Sequence, residues 1–183
     1  MNHLNNIYYF IDKFDSTEIL NLNKKINIIY RNYNKKSIED DIKKIKDLCV
    51  IKKRKIFISN NLKIALKFSL NGLYIPSFNK NLNFRNIPCK KEFSIIGSAH
   101  NLEELRIKER QGCKYIFVSP VFRNPKNTSF LDIIKLNYLI ENSRTDIIAL
   151  GGINNKNIKR LSCTQAKGFA GISWIKKTGL QKM

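Results

Sequence analysis

Residues 93–122 read FSIIGSAHNLEELRIKERQGCKYIFVSPVF: two short apolar runs, Phe93 to Ile96 and Tyr115 to Val118, flank a stretch from Asn101 to Gln111 whose apolar residues recur at helical spacing. Continuous runs of this kind suit strands buried on both faces. Asn101, with Glu103 and Glu104 behind it, supplies a helix start, because a side-chain acceptor and negative charge both suit the exposed amides of a first turn. The unit is strand, helix, strand. Strands joined through a helix lie parallel, with both faces of the sheet covered.

The same unit repeats on either side. Further apolar runs lie at Ile7 to Ile11, Ile26 to Tyr30, Ile56 to Ile58, Gly72 to Ile75, Ile147 to Leu150 and Gly168 to Ile172, which makes eight in all. Between them, Ser37 to Leu48 places Ile38, Ile42, Ile45 and Leu48 on one stripe, with Ser37, Asp40 and Asp41 as its start, and Leu62 to Phe68 behaves similarly. Eight repeats predict a closed (β/α)8 TIM barrel, with an open doubly wound sheet as the alternative. Such barrels typically take about 250 residues. This chain has 183, so some helices must be short. The shortening is expected at Thr17 to Lys25, at Ser77 to Glu92, which reads as loop between Pro76 and Glu92 with Pro88 inside it, and at Asn155 to Ala166, which holds about two turns. A single compact barrel domain over residues 1–183 is the expectation.

Composition narrows the function. The chain is 43% hydrophobic with 8 Gly and 4 Pro, which excludes collagen-like, low-complexity and largely disordered chains. No apolar run approaches the roughly 20 residues of a membrane span, so a soluble, cytoplasmic protein without a membrane partner is expected. Cys49, Cys89, Cys113 and Cys163 stand far apart, without zinc-like spacing, and read as buried reduced thiols. Lys and Arg total 34 against 14 Asp and Glu, a net charge of +20 that favours polyanionic or phosphorylated partners. The charge is diffuse and lies among many Asn and Ile residues, a compositional bias that inflates Lys by itself. Without a nucleic-acid-binding motif beside it, binding to nucleic acid is the less favoured reading.

Chemistry in a barrel belongs at the carboxyl ends of the strands. After the seventh run come Gly151 and Gly152, and after the eighth come Ile172 and Ser173. Glycine admits close backbone approach, and amides presented there can donate to a phosphate. A tight turn is the plainer explanation for the glycine pair. After the fifth run come Ser98 and His100, the latter read as a capping or packing histidine rather than a base. A long polar loop containing Asn124 and Lys126 follows the sixth.

Three segments carry a family resemblance: residues 96–122, ALGGIN at 149–154 and AGISWI at 170–175. Together they resemble the thiamine phosphate synthase and thiazole tautomerase family. Earlier pieces align more loosely, with Arg31 at the arginine of the family's Gln-Leu-Arg-Glu-Lys motif. The resemblance implies the same (β/α)8 fold. For the synthase type it implies joining a pyrimidine methyl diphosphate to a thiazole phosphate with release of pyrophosphate, with Mg2+ holding the diphosphate. It places the thiazole phosphate on Gly151, Gly152, Ile172 and Ser173, the pyrimidine near Ser98 and the diphosphate near Arg31, with Asn124 as a further substrate contact and Lys126 as a diphosphate or phosphate contact. Self-association into a homo-oligomer is also implied.

The sequence departs from the family on the diphosphate side. Ile29 and Tyr33 replace the glutamine and lysine flanking the arginine, and Asn60 replaces a metal-binding aspartate, leaving it as a candidate metal ligand. The family's His-Leu-Gly-Gln becomes Tyr74, Ile75, Pro76 and Ser77, followed by Phe78 and Asn79 without the next metal carboxylate. At 4 Å and an effective dielectric near 20, each missing charge removes roughly 4 kcal/mol of gross attraction. Lys126 lies one residue before the family's lysine position, now Asn127. Pro120 stands where the tautomerase branch has its histidine. Three functions are therefore carried forward: a divergent synthase, an inactive barrel that binds a phosphorylated metabolite, and a basic nucleic-acid-associated barrel.

Overall fold

In the computed structural model, which describes residues 4–34, 37–87, 91–124 and 129–179, each apolar run is a strand. They are β1 (Asn6–Ile11), β2 (Ile26–Tyr30), β3 (Ile56–Ser59), β4 (Gly72–Ile75), β5 (Ser94–Ala99), β6 (Tyr115–Val118), β7 (Asp146–Leu150) and β8 (Gly168–Gly171). All pairings are parallel in sequence order, and β8 returns to β1 with Asn6 opposite Gly168 and Tyr9 opposite Gly171. The sheet is closed. The barrel reading holds and the open-sheet alternative falls.

Side chains alternate across the strands, as the pleat requires. One set, including Tyr8, Phe10, Phe57, Tyr74, Phe117 and Ile148, fills the lumen. The other, including Tyr9, Ile28, Ile58, Leu73, Ile116 and Phe169, packs outward against the helices. Both faces are buried, which is why the strands read as unbroken apolar runs.

The chain fits a barrel into its length by trimming helices where the sequence says it must. After β1 comes α1 (Ser16–Leu20), and the longer α2 (Glu39–Ile51) follows β2. Then come α3 (Leu62–Lys67), α4 (Leu102–Arg110), α5 (Asp132–Glu141) and α6 (Ser173–Thr178). Among the described residues after β4, a 3-10 turn at Asn83–Asn86 takes the place of a helix. The two turns expected after β7 are likewise 3-10, at Ile158–Cys163. Among the described residues, no helix is long and apolar enough to cross a membrane.

Two local expectations are corrected. Ser37 does not cap α2: the helix starts after Ile38 without a side-chain cap, and its three first-turn acids, Glu39, Asp40 and Asp41, face the exposed amides instead. Tyr30 adds a tether by donating its hydroxyl to Asp41 at 3.0 Å. Cys49 and Cys113 are buried thiols, but Cys163 is exposed, because it ends a 3-10 turn on the surface. Cys89 lies outside the described residues.

The start of α4 is as read. Asn101 accepts from the Glu104 amide at 2.9 Å, and Glu104 Oε2 accepts from both the His100 amide and its Nδ1. His100 is part of the cap. An Asn101→Ala variant is expected to lose about 1 kcal/mol, or about 2–4 °C in a thermal melt.

Candidate active site at the carboxyl rim of the barrel

Parallel strands deliver all their carboxyl ends to one rim. Arg31 follows β2, Asn60 follows β3, Gly151 and Gly152 follow β7, and Ile172 and Ser173 follow β8; Ser98 is the second-last residue of β5 and Asn124 lies in the loop after β6. All sequence-predicted site residues within the described segments therefore gather there. Lys126 lies outside the described residues.

The floor of the site is aromatic. Phe10, Tyr74 and Phe117 meet edge to face at the top of the lumen, with ring centres 5.2, 5.7 and 6.1 Å apart. Burial pushes the Tyr74 phenol up to about 12, opposed by its hydrogen bond with buried Ser98 and by the charge of Arg31. Arg31 itself rests its guanidinium 4.7 Å from the centre of the Phe10 ring, and its amide is tied to the Ile11 carbonyl at 2.7 Å. A cavity of about 140 Å³ opens beside it, lined by Arg31, Ile172, Asp12, Lys13, Glu18 and Lys176, among others. Arg31 and the end of β8 thus share one cavity. Lys176 is held by Glu18 at 3.0 Å, and Tyr9 donates its hydroxyl to the same carboxylate.

Gly151 and Gly152 sit at φ +90° and +72°. Their conformation is matched by proximity: a Cβ on Gly152 would fall 2.2 Å from the Phe122 carbonyl oxygen. The carbonyls of Leu150 and Gly151 accept from Val121 and Phe122, and that of Gly152 accepts from Asn157 Nδ2 at 2.8 Å. The carbonyls are thereby turned into the protein. Among the described residues, no main-chain carbonyl receives the amides of Gly151, Gly152, Ile172 or Ser173. Trp174 does not cover them, for its ring lies 5.9 Å from Phe169, an outward-facing residue of β8.

The opposite half of the rim is neutral. Asn60, at φ +56°, accepts at Oδ1 from Asn79 Nδ2 at 2.6 Å, and Asn79 Oδ1 accepts from the Asn81 amide at 2.9 Å. Tyr33 shares a 2.7 Å hydrogen bond with Ser59, and its ring meets that of Phe78 edge on. The cavity beside Asn60 has one carboxylate in its lining, Glu39, which is paired to Lys67 at 2.7 Å. No group of three or more His, Cys, Asp or Glu residues that could hold a metal occurs among the described residues. Mg2+ asks for an octahedral shell anchored by carboxylates and substrate phosphates. Two neutral amides, each already serving a hydrogen-bond donor and with no free carboxylate in the lining, do not fit it.

Sequence reasoning missed the group that positions this half. Lys108 of α4 is fully buried and donates to the carbonyls of Pro76 and Asn79 and to Gln111 Oε1, at 2.8, 2.7 and 2.8 Å. Gln111 Nε2 in turn donates to the carbonyls of Asn79 and Asn81. The loop after β4 is pinned from below. The signal was present: Lys108 and Gln111 continue the apolar stripe of Leu102 and Leu105 at helical spacing.

These buried groups set an alkaline limit on stability. Burial pushes the Cys49 and Cys113 thiols up from 9.0 to about 12, as it does the Tyr74 phenol from 10.0. Each keeps its proton in the fold after the unfolded chain has lost it. The stability each contributes is whole below about pH 9 and is lost as pH rises toward about 12. Lys108 acts oppositely: burial pushes it down to about 8, so its contribution grows from there up to 10.5. Two thiols and a phenol outnumber one amine. The thermal midpoint is expected to fall between about pH 9 and pH 11; a rise would contradict this assignment of buried protons.

Comparison with known proteins gives the family of this barrel. The thiamine monophosphate synthase family model matches residues 17–175, nearly the whole chain. The chain belongs to that family. A thiamine-phosphate synthase of Syntrophomonas wolfei is 32% identical over 64% of this chain and 58% of its own length. A putative thiamine-phosphate synthase 2 of Aquifex aeolicus is 30% identical over 72% of this chain and 71% of its own. The chain spans 58% of the length of the Syntrophomonas protein and of a Methanococcus vannielii relative. Among solved structures, a thiamine phosphate pyrophosphorylase from Pyrococcus furiosus superimposes with a TM-score of 0.77, covering 96% of this chain and 92% of that one at 20% identity. That likeness establishes the fold alone.

Proposed function

We propose that this barrel joins a pyrimidine methyl diphosphate to a thiazole phosphate, releasing pyrophosphate, the reaction implied by the family to which it belongs. The observation that carries the reading is the set of amides at the ends of β7 and β8, which no described main-chain carbonyl receives. In this reading Gly151, Gly152, Ile172 and Ser173 hold the thiazole phosphate. Ser98 borders the pyrimidine, Asn124 contacts substrate, and Arg31 faces the diphosphate; Lys126, the other expected anion contact, lies outside the described residues. The carbon–oxygen bond of the pyrimidine methyl diphosphate breaks and its electron pair leaves with pyrophosphate. The thiazole nitrogen then supplies its lone pair to the new carbon–nitrogen bond, and no proton is transferred. The burden on the protein is to stabilise the departing negative charge, which Arg31 meets as a cation resting on the buried aromatic floor.

The test is pyrophosphate release with both substrates present. Arg31→Ala is expected to lower turnover by about 100-fold, the usual consequence of removing one charge-stabilising donor. A parent protein that releases pyrophosphate with Arg31→Ala unaltered would remove Arg31 from the reaction. The bond between Asn60 and Asn79 favours a second reading, a barrel that binds the phosphorylated thiazole without turning it over. Absence of turnover at high protein concentration, together with thermal protection by thiazole phosphate, would select it.

A further inference from the structure

The two positions facing each other across the β3 and β4 ends carry amides, and those amides bond to each other. We infer that this half of the rim is a neutral clasp, and that the protein binds phosphorylated ligands without a divalent cation. The inference rests on the reading of the rim as a site for phosphorylated ligands, but not on turnover.

Three features carry it. First, Asn60 Oδ1 and Asn79 Oδ1, the hard oxygens a cation would take, already accept from Asn79 Nδ2 and the Asn81 amide, at 2.6 and 2.9 Å. Second, the clasp is built rather than collapsed. The Lys108 ammonium fixes the Asn79 carbonyl from below, and Tyr33 ties its hydroxyl to Ser59 while its ring meets Phe78. Third, the local charge has the wrong sign for a cation. Lys108 sets its ammonium 2.7 Å from the Asn79 carbonyl, and Glu39, the carboxylate lining the neighbouring cavity, is already paired to Lys67. A divalent ion would have to share these oxygens with the donors they already serve and sit near an ammonium, with no unpaired carboxylate in the cavity lining among the described residues to offset its charge. Binding of phosphate then falls to main-chain amides and Arg31, which need no metal.

Thermal unfolding of the full chain with inorganic pyrophosphate, once in EDTA and once in magnesium chloride, tests this. The two midpoints are expected to agree within about 1 °C, whatever the size of the protection. An Asn60→Asp/Asn79→Asp variant is expected to gain protection from pyrophosphate only when magnesium is added, by about 3 °C or more. Pyrophosphate protection of the parent protein that requires magnesium overturns the inference. Should the double variant not fold, Asn60→Asp alone serves in the magnesium arm, and the parent comparison stands without either. A separate arm with thiazole phosphate in EDTA keeps the two readings apart. Loss of protection there overturns the phosphate site at β7 and β8, while a magnesium requirement for pyrophosphate overturns only the clasp.

Discussion

Gly152→Val is expected to lower the unfolding midpoint by about 6–15 °C and to remove protection by thiazole phosphate. Two costs combine. A β-branched side chain at φ +72° stores roughly 1–3 kcal/mol of backbone strain. Its Cβ would lie 2.2 Å from the Phe122 carbonyl oxygen and 2.7 Å from that of Arg123, main-chain atoms that cannot swing aside. Relieving that overlap costs a further 1–3 kcal/mol or so by displacing the β6 loop. Gly112 supplies the control, being at φ +77° with open space around its Cβ position. Gly112→Val should show the strain without the overlap and leave thiazole phosphate protection intact. If the two variants melt alike, the close approach at Gly152 is not what demands glycine.

Lys108→Met is expected to lower the midpoint by about 4–12 °C and to free the loop over residues 76–81. Replacing a buried charge by an apolar chain of similar size removes a desolvation cost, so the sign is decided by what is left behind. The Asn79 carbonyl keeps a donor in Gln111 Nε2, but the Pro76 carbonyl and Gln111 Oε1 each lose the Lys108 ammonium as donor. Two acceptors stranded in the interior cost about 1–3 kcal/mol each, and the released desolvation offsets part of it. Faster amide exchange at Asn79 and Asn81 should accompany the loss. A variant that melts at or above the parent temperature would mean that the ammonium is tolerated, not needed.

The barrel was legible because a parallel sheet covered on both faces leaves one simple trace, short apolar runs separated by helical periodicity. Ile26 to Tyr30 and Tyr115 to Val118 are strands with the very bounds the runs suggest. Helix ends were less legible. Asn101 announced α4 with a side-chain acceptor, whereas α2 begins by charge alone and Ser37 misled. At the rim, Arg31 and the glycine pair could be located because strand ends and glycine are local signals. The Asn60 to Asn79 bond could not, since it joins residues that only the closed sheet brings together. Each looked like a lost carboxylate, and nothing local says that two losses will satisfy each other. Lys108 was hidden for a different reason: in a chain this rich in lysine, one more on a helix reads as solvated surface.

The most direct test is diffraction from crystals soaked with thiazole phosphate in EDTA. The expected result is a phosphate group within hydrogen-bond reach, about 3 Å, of the amides of Gly152 and Ser173, with Asn60 and Asn79 still bonded to each other. A phosphate bound elsewhere on the rim, or those amides closed by their own chain, would contradict it.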